Sequence, residues 1–182
     1  MYNLIKNFIN LFLFKTKPED ILYSKVLLVF LAGIDFIVNY QANVVNIRVF
    51  NLINKKHIIL STPTIGQSLI ILSVLFLILW GIIYSLLAFY HKSNRFIQIL
   101  TSLVVVDIAF RMLISIAIVG LGYSSLLAVI LFIPLLYWEF VLYIFIFSNG
   151  FDFNYLKAGS FTLCYMLIQH NVGELLVNYI CN

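Results

Sequence analysis

Six ionisable side chains fall inside stretches apolar enough to be buried in lipid: Asp35, Asp107, Arg111, Glu139, His170 and Glu174. Asp107 and Arg111 are four residues apart, as are His170 and Glu174, so each pair shares one face of a helix. A charge at mid-bilayer depth costs at least about 2.5–3.5 kcal/mol. Such groups therefore face the protein interior and find partners. Arg111 can neutralise one or two of the carboxylates through its bidentate fork. The remaining carboxyls take up protons or reach water. Three chemistries are open to this set. It can be a structural polar network that fixes helix register, with Asp107 and Arg111 as a local pair. It can mark a proton or ion pathway, as intramembrane ionisable residues often do. It can also place His170, Glu174 and Glu139 as metal ligands or hydrolytic groups, because nitrogen and oxygen ligands suit zinc. No H-E-x-x-H or comparable signature accompanies that third possibility. Nor do the residues assemble a nucleophile–base pair or a phosphate loop. The expectation is a protein that is not an enzyme, holds neither metal nor cofactor, and uses the six residues as an intramembrane polar network. A small proton- or ion-coupled transporter or channel subunit is the alternative.

The elements that position these groups follow from composition. The chain has 182 residues, of which 63% are hydrophobic and 10% charged. Soluble domains carry roughly 25% charged residues. Several apolar stretches reach spanning length, so the expected class is all-α: a polytopic membrane protein whose main partner is the lipid bilayer. The net charge of +4 comes from basic residues scattered near the ends of the apolar stretches. That pattern reads as topology and headgroup contact, not nucleic-acid binding. Two cysteines, Cys164 and Cys181, suggest neither a disulfide framework nor a metal cluster.

Five spans are expected, at about 21–40, 66–90, 97–121, 126–147 and 155–180, in one transmembrane domain covering 16–182. Residues 1–15 precede it as an amphipathic helix lying in the interface, with Asn3, Lys6, Asn7 and Asn10 on one side. Its apolar run is short and no small-residue cleavage site follows, which argues against a cleaved signal peptide. Thr16-Lys17-Pro18-Glu19 has the form of a capping box and predicts a helix start. Lys25 is near enough to the end of the first span to snorkel to the headgroups. Residues 41–61 read as a connection along the membrane surface, with His57 a solvated interfacial residue rather than a ligand. Thr62-Pro63 predicts the next helix start. Gly81-x-x-x-Ser85 would let another helix approach closely. The third span, with Asp107 and Arg111 near its middle, is the stretch around which the others are arranged. Residues 120–125 make a tight reversal. In the fourth span Pro134 withdraws the backbone donor from Ile130 and predicts a kink. Tyr137, Trp138 and Tyr143 read as packing and lipid contact. Residues 148–154 form the last turn. The fifth span carries Gln169, His170, Asn171 and Glu174 in its second half, so it inserts only where neighbours satisfy them; otherwise it lies partly in the interface.

Basic residues set the expected orientation. Lys6, Lys15, Lys17, Lys92, Arg95 and Lys157 fall on one side, and Arg48, Lys55 and Lys56 on the other. The larger group marks the cytoplasmic side of a bacterial inner membrane, with the N-terminus inside and the C-terminus outside. On that layout Asp107 and Glu139 sit slightly to the cytoplasmic side of mid-membrane, Arg111 and His170 slightly beyond it, and Asp35 and Glu174 further out.

The layout resembles the Yip family of small multi-span membrane proteins, in particular its bacterial-type members. The features that carry the resemblance are the Lys17-Pro18-Glu19-Asp20 entry, five closely spaced hydrophobic segments, and the run from Trp138-Glu139-Phe140-Val141 through Asn149-Gly150 to Leu156-Lys157-Ala158-Gly159-Ser160-Phe161-Thr162-Leu163-Cys164-Tyr165. The resemblance implies membrane organisation or binding of other membrane proteins, or of a second copy, without an assigned reaction. The family's GTPase-linked role uses a polar N-terminal region that is nearly absent here, so it does not carry over.

Overall fold

Apolar helices bury their backbone polar groups internally, and this chain is built almost entirely that way. The computed structural model describes residues 2–21, 24–53, 63–121 and 126–181. Its long elements are α1 (Tyr2–Phe12), α2 (Lys25–Ile53), α3 (Ile65–Phe89), α4 (Phe96–Leu121), α5 (Leu126–Phe151) and α6 (Tyr155–Cys181). Four segments are long and apolar enough to cross a bilayer: Lys25–Ala42, Ile65–Phe89, Ser93–Gly120 and Ile130–Phe151. The protein is therefore all-α and membrane-embedded. α6 is as long but more polar, and it is not among the four.

Helix ends differ in several places from the expectation. Thr16–Glu19 does not start the first long helix. Pro18–Asp20 instead forms a single 3-10 turn, with the Lys17 amide donating to Asp20 Oδ2 at 3.3 Å. α2 starts at Lys25, after Ser24 Oγ accepts from the Leu27 amide at 3.1 Å. It then runs on to Ile53, so residues 41–53 continue the helix rather than leaving it along the membrane surface. At 29 residues α2 is about 44 Å long, more than the ~30 Å hydrocarbon core requires. α3 is capped by Thr64, whose hydroxyl accepts from the Gln67 amide while Gln67 Oε1 accepts from the Thr64 amide. α5 continues to Phe151, past the expected turn at 148, and stops where Asp152 takes the left-handed conformation (φ 55°). Asn154 then caps α6 by accepting from the Lys157 amide at 2.9 Å. The connection with Lys55, Lys56 and His57, the start at Thr62, and the reversal at 122–125 lie outside the described residues.

α4 is the most enclosed element, flanked by α2 and α5; α6 packs on α5, and α3 packs chiefly on α6. Ile99, Leu100, Val106 and Phe110 of α4 are fully buried with Leu142, Ile146 and Phe147 of α5. Near the start of α4 the two helices touch closely: a Cβ placed on Gly150 would lie 2.5 Å from Ile99 Cδ1. The Gly81–Ser85 face is different. Among the described residues, nothing lies within 4 Å of a Cβ at Gly81. α1 buries Leu11 and sets Phe12 6.3 Å from Phe110, which docks it on α4.

Two contacts define the edges of the bundle. At the near edge, Arg95 bridges Glu19 and Asp152. At the far edge, Gln67 Nε2 donates to the Ile180 carbonyl at 3.1 Å, joining the start of α3 to the end of α6. α2 and α4 are parallel neighbours. Gln98 Nε2 donates to the Glu19 carbonyl at 2.9 Å near the start of both, and Asn39 faces Asp107 higher up.

Candidate functional site

Parallel packing of α2 on α4 brings their polar residues to one level. Asp35 lies ten residues after Lys25 and Asp107 nine after Gln98, about 15 and 14 Å along their helices at ~1.5 Å per residue. Asp35 is thus level with Asp107 and not further out. The first helix begins later than its sequence suggested, which moves Asp35 towards its middle.

The centre is built on Asp107. Arg111 Nε donates to Asp107 Oδ2 at 2.9 Å, one helical turn away. Asn39 Nδ2 approaches the same oxygen at 3.5 Å, and donates to its own helix at the Asp35 carbonyl at 2.9 Å. Asn39 therefore joins α2 to the α4 ion pair. Asp35 is 1% exposed, and neither carboxyl oxygen has a hydrogen-bond partner. A cavity of about 30 Å³ lies beside it, lined also by Asn39, Asp107, Arg111, Tyr143, Tyr165 and Gln169.

A larger cleft of about 740 Å³ adjoins this cavity. Asn39, Asp107, Arg111 and Gln169 line both spaces. From there the cleft follows α6 through His170 and Glu174 to Asn178, towards the far edge, with Glu139 on the α5 side. The six residues singled out in sequence thus form two sets. Asp35, Asp107 and Arg111 make the enclosed centre, while Glu139, His170 and Glu174 line the open cleft. His170 Nε2 and Glu174 Oε1 are 3.5 Å apart, and both side chains are largely exposed. Among the described residues, no three His, Cys, Asp or Glu side chains converge as a metal site would require. Pro134 lies inside a helix that continues to Phe151.

Towards the near edge the centre is closed. Tyr143, Phe147 and Phe151 are buried against Phe161 and Tyr165, with Phe147 and Phe161 rings 4.7 Å apart. Tyr143 is therefore an interior residue, whereas Tyr137 faces outward. Beyond this aromatic layer lies an ion-pair cluster. Arg95 meets Glu19 at 3.0 Å and Asp152 at 3.0 Å, and it donates to the Asn149 carbonyl at 3.1 Å. Lys92 pairs with Asp152 and donates to the Phe151 carbonyl at 3.2 Å. Hydrogen bonds from Lys92 and Arg95 hold the Asp152 carboxyl below its ordinary value.

Sequence reasoning missed Asn39, the inward role of Tyr143 and Tyr165, and the Glu19–Arg95–Asp152 cluster. Asn39 carried a signal, standing one turn after Asp35 on the same face. The cluster carried none, because Arg95 stands 57 residues from Asp152 and 76 from Glu19 (95 − 19).

Fold and site together define a membrane-embedded helical protein with an enclosed acidic–basic centre open towards one edge. No protein-family model, no curated protein and no solved structure matches the chain.

Proposed function

We propose that this is a non-enzymatic integral membrane protein of five spans, similar in layout to the Yip family, that acts as a membrane-organising or partner-binding scaffold. Its partners are the bilayer and other membrane proteins or a second copy. The fifth span is α6. Supporting this, α6 starts at the near edge with Tyr155 and reaches the far edge, where Ile180 accepts from Gln67. Gln169, His170, Glu174 and Asn178 of its second half line the cleft, and Asn171 donates to the Leu167 carbonyl of its own helix. The near edge carries Lys17, Lys92 and Arg95, so the charge bias makes it the cytoplasmic side of a bacterial inner membrane.

One observation carries the scaffold reading. The Asp107–Arg111 pair is satisfied within the chain and tied to α2 by Asn39. A group so satisfied fixes the register of α2 on α4 without any ligand. The test is a double-mutant cycle with Asp107→Leu and Arg111→Met, read by stability in detergent and by ion flux in reconstituted vesicles. Breaking a buried pair costs about 3–5 kcal/mol. The lower end applies here, since the Arg111 side chain keeps 32% of its exposure. The double variant recovers much of the loss, and the wild type shows no flux above empty vesicles.

A second reading is favoured by the cleft, which runs from Asp107 and Arg111 towards the far edge. That is the form of a proton or ion pathway open to one side. Wild-type flux abolished by Asp107→Asn in a folded variant replaces the scaffold with this pathway.

A further inference from the structure

We propose that the cavity beside Asp35 is an occluded site for one small monovalent cation, sodium or a proton, filled from the far edge through the cleft. The first ground is the carboxyl itself. Asp35 is 1% exposed, both its oxygens are buried without partners, and the residue forms part of the wall of a cavity shared with Asn39 and Asp107. A buried carboxylate left unpaired is too costly to persist, so something positive or a proton must meet it.

The second ground is the count of charges around it. α4 presents Asp107 and Arg111, α5 presents Tyr143, and α6 presents Tyr165 and Gln169. α3 contributes no charged residue to the cavity, only apolar ones such as Leu75 and Leu79 with Trp80, whose indole N–H is its one polar group. Glu139 stands outside, in the cleft. Arg111 is engaged by Asp107. With both aspartates ionised the centre is short of one positive charge, which matches a monovalent ion and not a divalent one.

Size and chemistry agree with the charge. A water-sized guest needs about 10–15 Å³ of such space. The cavity offers about 30 Å³, room for one small ion or water and little more. Asp35, Asn39, Asp107, Tyr143, Tyr165 and Gln169 all bear oxygen, the donor that hard cations prefer. The route is the set of residues shared by cavity and cleft, with the aromatic layer closing the other side. The site stands on either reading of the function: a scaffold retains the cation, and a pathway exchanges it.

The test uses the full chain in detergent. Thermal stability is measured in NaCl and in choline chloride at equal ionic strength, each over a pH series. A sodium site raises the melting temperature in NaCl alone. A proton site gives identical curves in the two salts, with stability falling as pH rises. In either case Asp35→Asn, a neutral isostere, removes the response. Val104→Ile keeps every charged group and fills the cavity with one added carbon, since Val104 is buried in its wall. It removes a sodium response as well; a proton takes up no cavity space, so a pH response persists in it, and Asp35→Val decides that case should Asp35→Asn not fold. A wild type indifferent to both sodium and pH overturns the proposal. So does a sodium response that survives either substitution, or a pH response that survives the loss of the Asp35 carboxyl.

Discussion

Gly150→Ala tests whether α5 crosses α4 as closely as described. The added Cβ would stand 2.5 Å from Ile99 Cδ1 and 2.8 Å from Cγ1. Ordinary carbon–carbon contacts are ~3.5–4.0 Å, so the helices or Ile99 must give way by about 1 Å. Ile99 is fully buried and has little free space to move into. Overpacking of this kind costs about 1–3 kcal/mol. Alanine's better helix propensity offsets it by up to ~1 kcal/mol. The net expectation is a loss of about 0–2 kcal/mol, the overpacking range less ~1 kcal/mol. The decisive step is to repeat the substitution in an Ile99→Ala background. That change alone costs about 2–5 kcal/mol through the cavity it leaves. With the clashing atoms gone, Gly150→Ala then fills space and becomes neutral or stabilising. The assay is unfolding in mixed detergent micelles, run as a four-member cycle. Equal effects of Gly150→Ala in both backgrounds would refute the packing argument, because the penalty would then not come from Ile99.

Two further outcomes are expected. The Asp152 carboxyl is held below its ordinary value, chiefly by the Lys92 hydrogen bond and then by Arg95. Its contribution is therefore present above the ordinary carboxylate range near pH ~3.9 and lost as pH falls through the lowered folded value. Wild type exceeds Asp152→Asn in stability from neutral pH to about pH 5, by no more than about 1 kcal/mol because the pair is exposed. The gap closes below about pH 4, and a gap unchanged under acid contradicts the ion-pair role. For topology, a reporter fused after Asn182 reads as non-cytoplasmic and one inserted at His91–Arg95 as cytoplasmic. Both on one side, or the reverse, rules out five spans with the N-terminus inside.

The sequence by itself determined the class and most of the helix limits. Apolar runs with short polar breaks leave a chain in lipid no choice but helices. It also singled out Asp107 and Arg111, since four-residue spacing is a local property of any helix. It ended the first long helix near residue 40 although α2 runs on to Ile53, and two other limits that it misplaced, at 16–25 and 148–151, are places where side chains from elsewhere take up the loose backbone groups. Gln98 holds the Glu19 carbonyl, and Lys92 and Arg95 hold the carbonyls at the end of α5. Neighbour choice was decided only in the tertiary structure. Between lipid-facing helices apolar matching does not select partners, because the lipid is as apolar as the side chains. Packing shape and a few polar contacts select them instead. That is why α2 lies parallel to α4, why α3 packs on α6, and why Asp35, alone in its own helix, faces Asp107 and Arg111 across an enclosed cavity.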